Sequence, residues 1–307
     1  MTEKDAQGAA RRTRPPGRGS VVASGLIVAA LATAGCTRTV DRTGVVGIGT
    51  AAAVIGDQSQ TVFLEGNRLV RRVSVNRFVR SGDIALAEGK FDILVTPESA
   101  AAWLGVLSSI ERYAALLGDL TNEKRGSATS DALADLAKEL NGGVAGARIS
   151  PGVGSAVASL GGAIVEARAQ ADARRILRTT DPAFQRTIRE MADAVGADDS
   201  SGLRGTVRSA WTAALDESRR PYIDAASNRD EALQRRLVGD FLASVDRRDA
   251  QLGALADLRA SLLALGAAHA AAADGRAAPV DALLDAIGKR AAETRRLYDD
   301  IDRAKEG

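Results

Sequence analysis

Cysteine and histidine are almost absent from this chain of 307 residues. Cys36 is the only cysteine and His269 is the only histidine. One thiol cannot form a disulfide within the chain, so the fold has to be stabilised by packing in any redox compartment. Zinc sites are usually built from several cysteine and histidine side chains. The sequence therefore predicts no metal site of that kind, and we expect no cofactor.

Aromatic residues are also scarce, at 3% of the chain, whereas alanine and glycine are abundant. A β-sandwich needs β-branched and aromatic side chains on its pleated surfaces. Alanine favours helices, and glycine allows helix backbones to approach closely. The composition therefore predicts an all-α fold with thin layers of core between its helices.

Basic side chains are not in excess in residues 36–307. The formal net charge is +2, but residues 1–35 alone carry five basic and two acidic side chains, a net of +3. The remaining residues therefore carry a net charge of about −1, by difference. Nucleic-acid binding requires a clustered excess of lysine and arginine. We expect no nucleic-acid partner.

The chain begins with a basic segment that is followed by a short apolar run at residues 21–34. These 14 residues are too few for a permanent membrane span, which takes about 20. Ala34 and Gly35, both small, directly precede Cys36. A basic lead, a short apolar run and small residues at the cut are typical of a cleavable signal peptide.

This segment resembles the signal peptide and lipobox of bacterial lipoproteins, although Thr33 stands where that class usually has leucine. The resemblance implies that residues 1–35 are removed and that Cys36 becomes an acylated N-terminal residue, with palmitate among its acyl groups. Thr37, rather than aspartate, follows Cys36, and this implies an outer-membrane destination facing the periplasm. The alternatives are an ordinary secretory signal and an uncleaved anchor, and Arg11-Arg12 also raises twin-arginine export.

Residues 36–95 are predicted to form a lipidated tether followed by a small, apolar segment. Residues 61–64 and 69–75 flank Gly66-Asn67, which suits either a β-hairpin turn or one continuous helix. The helix is favoured because the later segments are helical.

Residues 96–307 show apolar residues at helical spacing, separated by short polar breaks. Thr96-Pro97, Ser150-Pro151 and Asp181-Pro182 are predicted helix starts. Pro221 is predicted to kink or end a helix. A seam near heptad spacing, typical of a coiled coil, is formed by Leu252, Leu255, Leu262 and Leu265. Short connections favour antiparallel neighbours, so the prediction is an elongated antiparallel helical bundle.

No catalytic constellation is recognisable. His269 lies near a predicted helix end and is expected to be solvated or helix-terminal rather than catalytic. The sequence around Gly152-Val153-Gly154-Ser155 lacks the last glycine of a nucleophile elbow. Trp103 and Trp211 lie on apolar helix faces and are expected to pack in the core. We assign no catalytic residue, and an enzyme that uses carboxylates alone is a weaker hypothesis.

The predicted function is that of a membrane-anchored envelope lipoprotein whose non-enzymatic helical body acts as a scaffold or binding partner. Its partners would be the membrane, through the lipid on Cys36, and an envelope protein. The alternative is a helical membrane-remodelling or pore-forming protein. Its glycine-rich apolar segments, at residues 44–56 and 151–165, would then insert into a membrane.

Overall fold

The structure is a computed structural model that describes residues 42–120, 126–141, 146, 148–167 and 172–303. The predicted all-α fold is confirmed, because this part of the chain forms a helical bundle and contains no strand. The helices, in chain order from α1 to α8, are Arg42–Ser81, Pro97–Leu120, Gly126–Asn141, Pro151–Ala167, Ala173–Val195, Gly202–Ser227, Glu231–Ala273 and Ala277–Arg303.

Helix α1 packs at the centre of the helix arrangement. It contacts α2, α6, α7 and α8, while α3, α4 and α5 pack in sequence and α5 returns to α7. Apolar residues of α1 belong to the same core cluster as residues from the later helices. Helix α1 therefore belongs to the same core as the later helices, and the predicted boundary at residue 96 falls in a connection between two helices of that core.

The region around Gly66 is helical, so the hairpin alternative for residues 61–75 is wrong. Val62, Phe63, Leu69 and Val73 are all buried, at spacings that place them on one helix face. Gly66 makes a close side-chain contact instead of a turn, because a Cβ atom there would lie 2.4 Å from Cδ2 of Leu94, in the connection that follows α1. The tertiary contact, and not the local turn propensity, decides the structure here.

The connection between α1 and α2, residues 82–96, lies back along the second half of α1; we call it the strap. Asn67 fixes it with two hydrogen bonds, since its Nδ2 donates to the Val95 carbonyl and its Oδ1 accepts from the Val95 N–H, both at 2.9 Å. The Asp92 N–H donates to Ser74 Oγ at 3.0 Å. These bonds satisfy backbone groups that no regular element would satisfy.

The predicted start of α2 is confirmed. Thr96 Oγ1 accepts a hydrogen bond from the Ser99 N–H at 3.2 Å, and Pro97 is the first residue of the helix. A threonine cap satisfies one of the N–H groups that a helix start leaves without a partner.

The helix start predicted at Asp181-Pro182 is wrong, because Pro182 lies inside α5, which begins at Ala173. Pro221 does not end its helix, because it lies inside α6, which continues to Ser227, and the predicted kink there stays a prediction. A proline inside a helix removes one backbone hydrogen bond. Asp172 provides the actual start of α5, because its side chain accepts from the Arg174 N–H.

Both tryptophans lie in the core, as predicted, and each indole N–H has a partner. Trp103 Nε1 donates to Ser59 Oγ at 2.9 Å, and its ring makes an edge-to-face contact with Phe63 at 5.4 Å between centroids. Trp211 Nε1 donates to Gln251 Oε1 at 2.6 Å. Buried indoles usually need such a partner for the N–H.

Adjacent glycines in α4 test how strongly the fold depends on close helix packing. A Cβ on Gly161 would lie 2.8 Å from the Ala137 carbonyl oxygen of α3, whereas one on Gly162 would meet no atom closer than 3.8 Å. We expect Gly161→Ala to destabilise the fold, because backbone cannot move aside cheaply. We expect Gly162→Ala to stabilise it by about 0.5–1 kcal/mol through helix propensity.

Urea unfolding of the two variants, beside the unmodified chain, measures this difference. An equal effect of the two substitutions would contradict the close approach of α3 and α4 at Gly161.

Candidate functional site

The site residue predicted from the sequence, Cys36, lies outside the described residues. Its acylation therefore stays a prediction. Within the described residues, two features stand out. One is a buried polar network around His269, and the other is an exposed helical hairpin.

His269 lies near the end of α7, as predicted, but it is fully buried, so the solvated alternative is wrong. Its Nδ1 lies 2.8 Å from Asp181 Oδ1 of α5, and its ring stacks on Phe184 with 4.0 Å between centroids. On its other side, Nε2 lies 3.3 Å from the hydroxyl of Tyr113 in α2. The sequence offers no signal for this arrangement, because the three helices are far apart in the chain.

The network continues from Tyr113 to the backbone of α5. Thr180 Oγ1 lies 2.5 Å from the Tyr113 hydroxyl and 2.9 Å from the Ile176 carbonyl. Either hydroxyl can be the donor of the bond between Tyr113 and Thr180. At the other end, Gln185 Nε2 donates to Asp181 Oδ1 at 3.0 Å and to the Gly266 carbonyl at 2.6 Å. The network links α2, α5 and α7.

Burial sets the charge states in this network. It lowers the pKa of His269 below its ordinary value, although the hydrogen bond and charge of Asp181 act in the opposite direction. Burial would raise the pKa of Asp181, but hydrogen bonds from His269 and Gln185 outweigh it and the net shift is downward. Burial also raises the pKa of Tyr113. A neutral imidazole that donates Nδ1–H to an ionised Asp181 fits these directions.

The residues of a Tyr–His–Asp relay are thus present, but the reactive atoms are closed off. Tyr113, Thr180 and His269 are all buried, and only Asp181 reaches the surface, with 26% of its side chain exposed. A general acid or base has to lie within hydrogen-bond reach of its substrate. In this conformation the network holds three helices together and has no room for a substrate.

The second feature is a hairpin formed by the end of α6 and the beginning of α7, residues 216–250, which we call the arm. Within these residues only Ala225 has a buried side chain. Four large apolar side chains of the arm are exposed by 40–59%, namely Tyr222, Ile223, Val238 and Leu242. A groove with a cavity volume of about 200 Å³ runs between its two helices.

The arm is joined at its base to the end of α1. Arg80 forms an ion pair with Glu217 at 2.9 Å, and Asn76 Nδ2 donates to the same carboxylate at 2.6 Å. Further back, Arg72 lies over the Trp211 ring at 6.0 Å. These pairs show that α6 runs in the same direction as α1, so the arm extends beyond the last residues of α1.

Exposed apolar residues concentrate at this end of the bundle. Of the thirteen large hydrophobic residues that are exposed in the described part of the chain, nine lie on the arm, the strap or the last turns of α1. Isolated exposed apolar residues are ordinary, whereas a concentration of them is typical of an interaction surface. The sequence shows that α7 has an apolar stripe. It does not show that, among the described residues, no helix covers this stripe.

Two further searches cover only the described residues. No group of three or more histidine, cysteine, aspartate or glutamate side chains is placed to hold a metal ion there. No helix in that part of the chain has the length and apolar character needed to cross a membrane.

Comparison with protein-family models, with curated proteins and with solved structures finds no match for this chain. The function therefore has to be argued from the chain's own geometry.

The single histidine allows a clean test of the buried network. An unfolded chain takes up a proton at His269 near pH 6.5, whereas the folded chain resists it. The stability that depends on a neutral His269 is therefore present above pH 6.5 and is lost as the pH falls below it. The loss is at most about 1.4 kcal/mol per pH unit. We expect His269→Phe to remove this slope.

Urea unfolding between pH 5 and pH 8 measures the slope in both chains. Carboxylates such as Asp257, whose pKa is raised by its burial, titrate in both chains and cancel in the comparison. An unchanged slope in the His269→Phe chain would contradict the buried neutral imidazole.

Proposed function

We propose that this protein is a bacterial envelope lipoprotein, held to the outer membrane by acyl chains on Cys36. Its helical body acts as a non-enzymatic scaffold that binds a protein partner through the arm. The exposed apolar face of the arm is the observation that carries the proposal. Stable acyl anchoring needs two chains or more, as a lipoprotein cysteine supplies.

The position of the arm supports a role away from the anchor. Cys36 precedes the first residue of α1 by six positions, which is at most about 20 Å of chain. Helix α1 has 40 residues and is therefore about 60 Å long. Since the arm continues in the direction of α1, the tip of the arm lies beyond the end of this helix that is opposite to Arg42.

The burial of the polar network supports a non-enzymatic body. Tyr113, Thr180 and His269 satisfy one another and the backbone, and their reacting atoms do not reach solvent. A network that is fully satisfied in a core stabilises one packing of the surrounding helices. The network therefore has a structural role. The arm, by contrast, has large apolar side chains that are exposed in the described structure.

The two segments that motivated the membrane-remodelling alternative lie within the bundle. Residues 44–56 form part of α1 and bury Val45, Ile48 and Ile55, and residues 151–165 form part of α4 and bury Val153, Val157 and Leu160. Their glycines serve close helix contacts, for example between Gly49 and the Glu111 carbonyl. Insertion into a membrane would require the core to open, so the scaffold function is the better supported of the two.

The anchor is tested by the intact mass of the protein from a membrane fraction, beside a Cys36→Ser variant. We expect a chain that begins at residue 36 and carries acyl groups, and we expect both features to be lost in the variant. An unprocessed or unacylated chain would contradict the lipoprotein part of the proposal. Residues 21–35 would then be an anchor or an ordinary signal.

The scaffold function is tested in cells with a photo-crosslinking amino acid at Tyr222 on the arm. The matched control is the same amino acid at Leu64, an exposed apolar position on α1, away from the arm. We expect a discrete protein adduct from position 222 and none from position 64. Equal labelling at the two positions would contradict a role for the arm in binding.

A further inference from the structure

We infer that the occupant of the arm is a second copy of this chain, packed antiparallel to the first, so that two arms complete a four-helix bundle. This inference rests on the proposed function, because it names the partner of the same surface.

The arm has the construction of half a four-helix bundle. Two antiparallel helices contact each other, and no other helix in the described part of the chain covers one face of the pair. The groove on this face is lined by Ser218, Arg219, Tyr222, Leu237, Val238 and Phe241. Helices in such bundles bury a continuous apolar stripe against two neighbours. A second hairpin of the same kind supplies the missing layer.

The order of residues along α7 favours a copy in the opposite direction. Arg235, Val238, Leu242 and Asp246 are spaced by three, four and four residues, which places them on one face of the helix. The two central residues are apolar, with a basic residue towards the tip and an acidic residue towards the base. When an inverted copy is placed on this face, Val238 meets Leu242 of the second copy. Arg235 of each copy then meets Asp246 of the other.

The charges of the whole arm have the same polarity. The half nearer the tip, residues 220–238, carries four arginines and three acidic residues, and the half nearer the base carries three arginines and five acidic residues. In a parallel pair, the more basic half of one arm would face the more basic half of the other. In an antiparallel pair, the more basic half of each arm faces the more acidic half of the other, as a self-complementary two-fold interface requires.

The size of the face is sufficient for a weak dimer. The arm portion of α7, residues 231–250, is about 30 Å long, that of α6, residues 216–227, is about 18 Å long, and each helix is about 10 Å wide. The face therefore covers about 500 Å² in each copy. This is near the least area that a specific interface buries, so we expect a weak and reversible dimer.

A protein occupant also fits the arm better than an anionic membrane surface. The arm carries seven arginines and eight acidic residues, so it has no excess of basic charge. An excess of basic residues is what attracts a helix to anionic lipid, and acidic residues oppose it.

The test is sedimentation of the full chain in a density-matched detergent over a range of protein concentrations. We expect a reversible monomer–dimer equilibrium that Leu242→Asp weakens at least tenfold, which corresponds to about 1.4 kcal/mol. Leu64→Asp is the matched control, because Leu64 and Leu242 are exposed by 54% and 55%. The control is expected to leave the equilibrium unchanged, and helix content from circular dichroism checks the fold of each variant.

A charge exchange tests the antiparallel arrangement. Arg235→Glu and Asp246→Arg each place like charges opposite one another in the antiparallel pair, so each should weaken the dimer. The double variant restores opposite charges at both sites and should recover most of the affinity. Failure of the double variant to recover would overturn the antiparallel arrangement.

The remaining outcomes separate this inference from the proposed function. A chain that stays monomeric overturns the second-copy inference. If position 222 then crosslinks another envelope protein in cells, the scaffold function stands with a different partner. If position 222 labels lipid alone, both the dimer and the scaffold role of the arm are wrong.

Discussion

Close approach of helix backbones is the constraint on which this fold depends. Large side chains are few, and there is no disulfide to hold the helices, so apolar burial has to come from many small contacts at short range. Gly49 of α1 against α2 and Gly161 of α4 against α3 are examples, since a Cβ at either position would meet a carbonyl oxygen within 3.2 Å. Interiors packed at this density tolerate little added volume. The same closeness explains how α1 can contact four other helices.

The His269 network complements this packing because it fixes the register of the helices that it joins. Small apolar contacts allow neighbouring helices to slide or rotate at small cost. The hydrogen bonds that join His269 of α7 to Asp181 and Tyr113 form only in one register of the helices. The cost is a buried imidazole that must stay neutral. A core with few aromatic residues places two of them, Tyr113 and Phe184, against this one histidine.

The sequence predicts the helices well because their apolar residues recur at helical spacing, and it predicts both tryptophans as core residues for the same reason. It fails at Pro182, which does not start a helix, and it left open whether Pro221 ends one. In both places the tertiary packing of α5 and α6 outweighs the loss of one backbone hydrogen bond. The sequence also fails at His269, whose partners come from distant parts of the chain. The arm shows a different limit. Leu237, Phe241 and Val245 have the spacing of core residues, and spacing cannot distinguish a stripe covered by the same chain from one left open.

The unbroken length of α1 has a further consequence for how copies could be arranged. The arm extends α1 in its own direction, so two chains paired by antiparallel arms have the first residues of their α1 helices at opposite ends of the pair. In such a pair the two α1 helices extend from the joined arms in opposite directions. The distance between their first residues is therefore set by two lengths of α1, and pairing changes the length of the particle more than the width of its helical body.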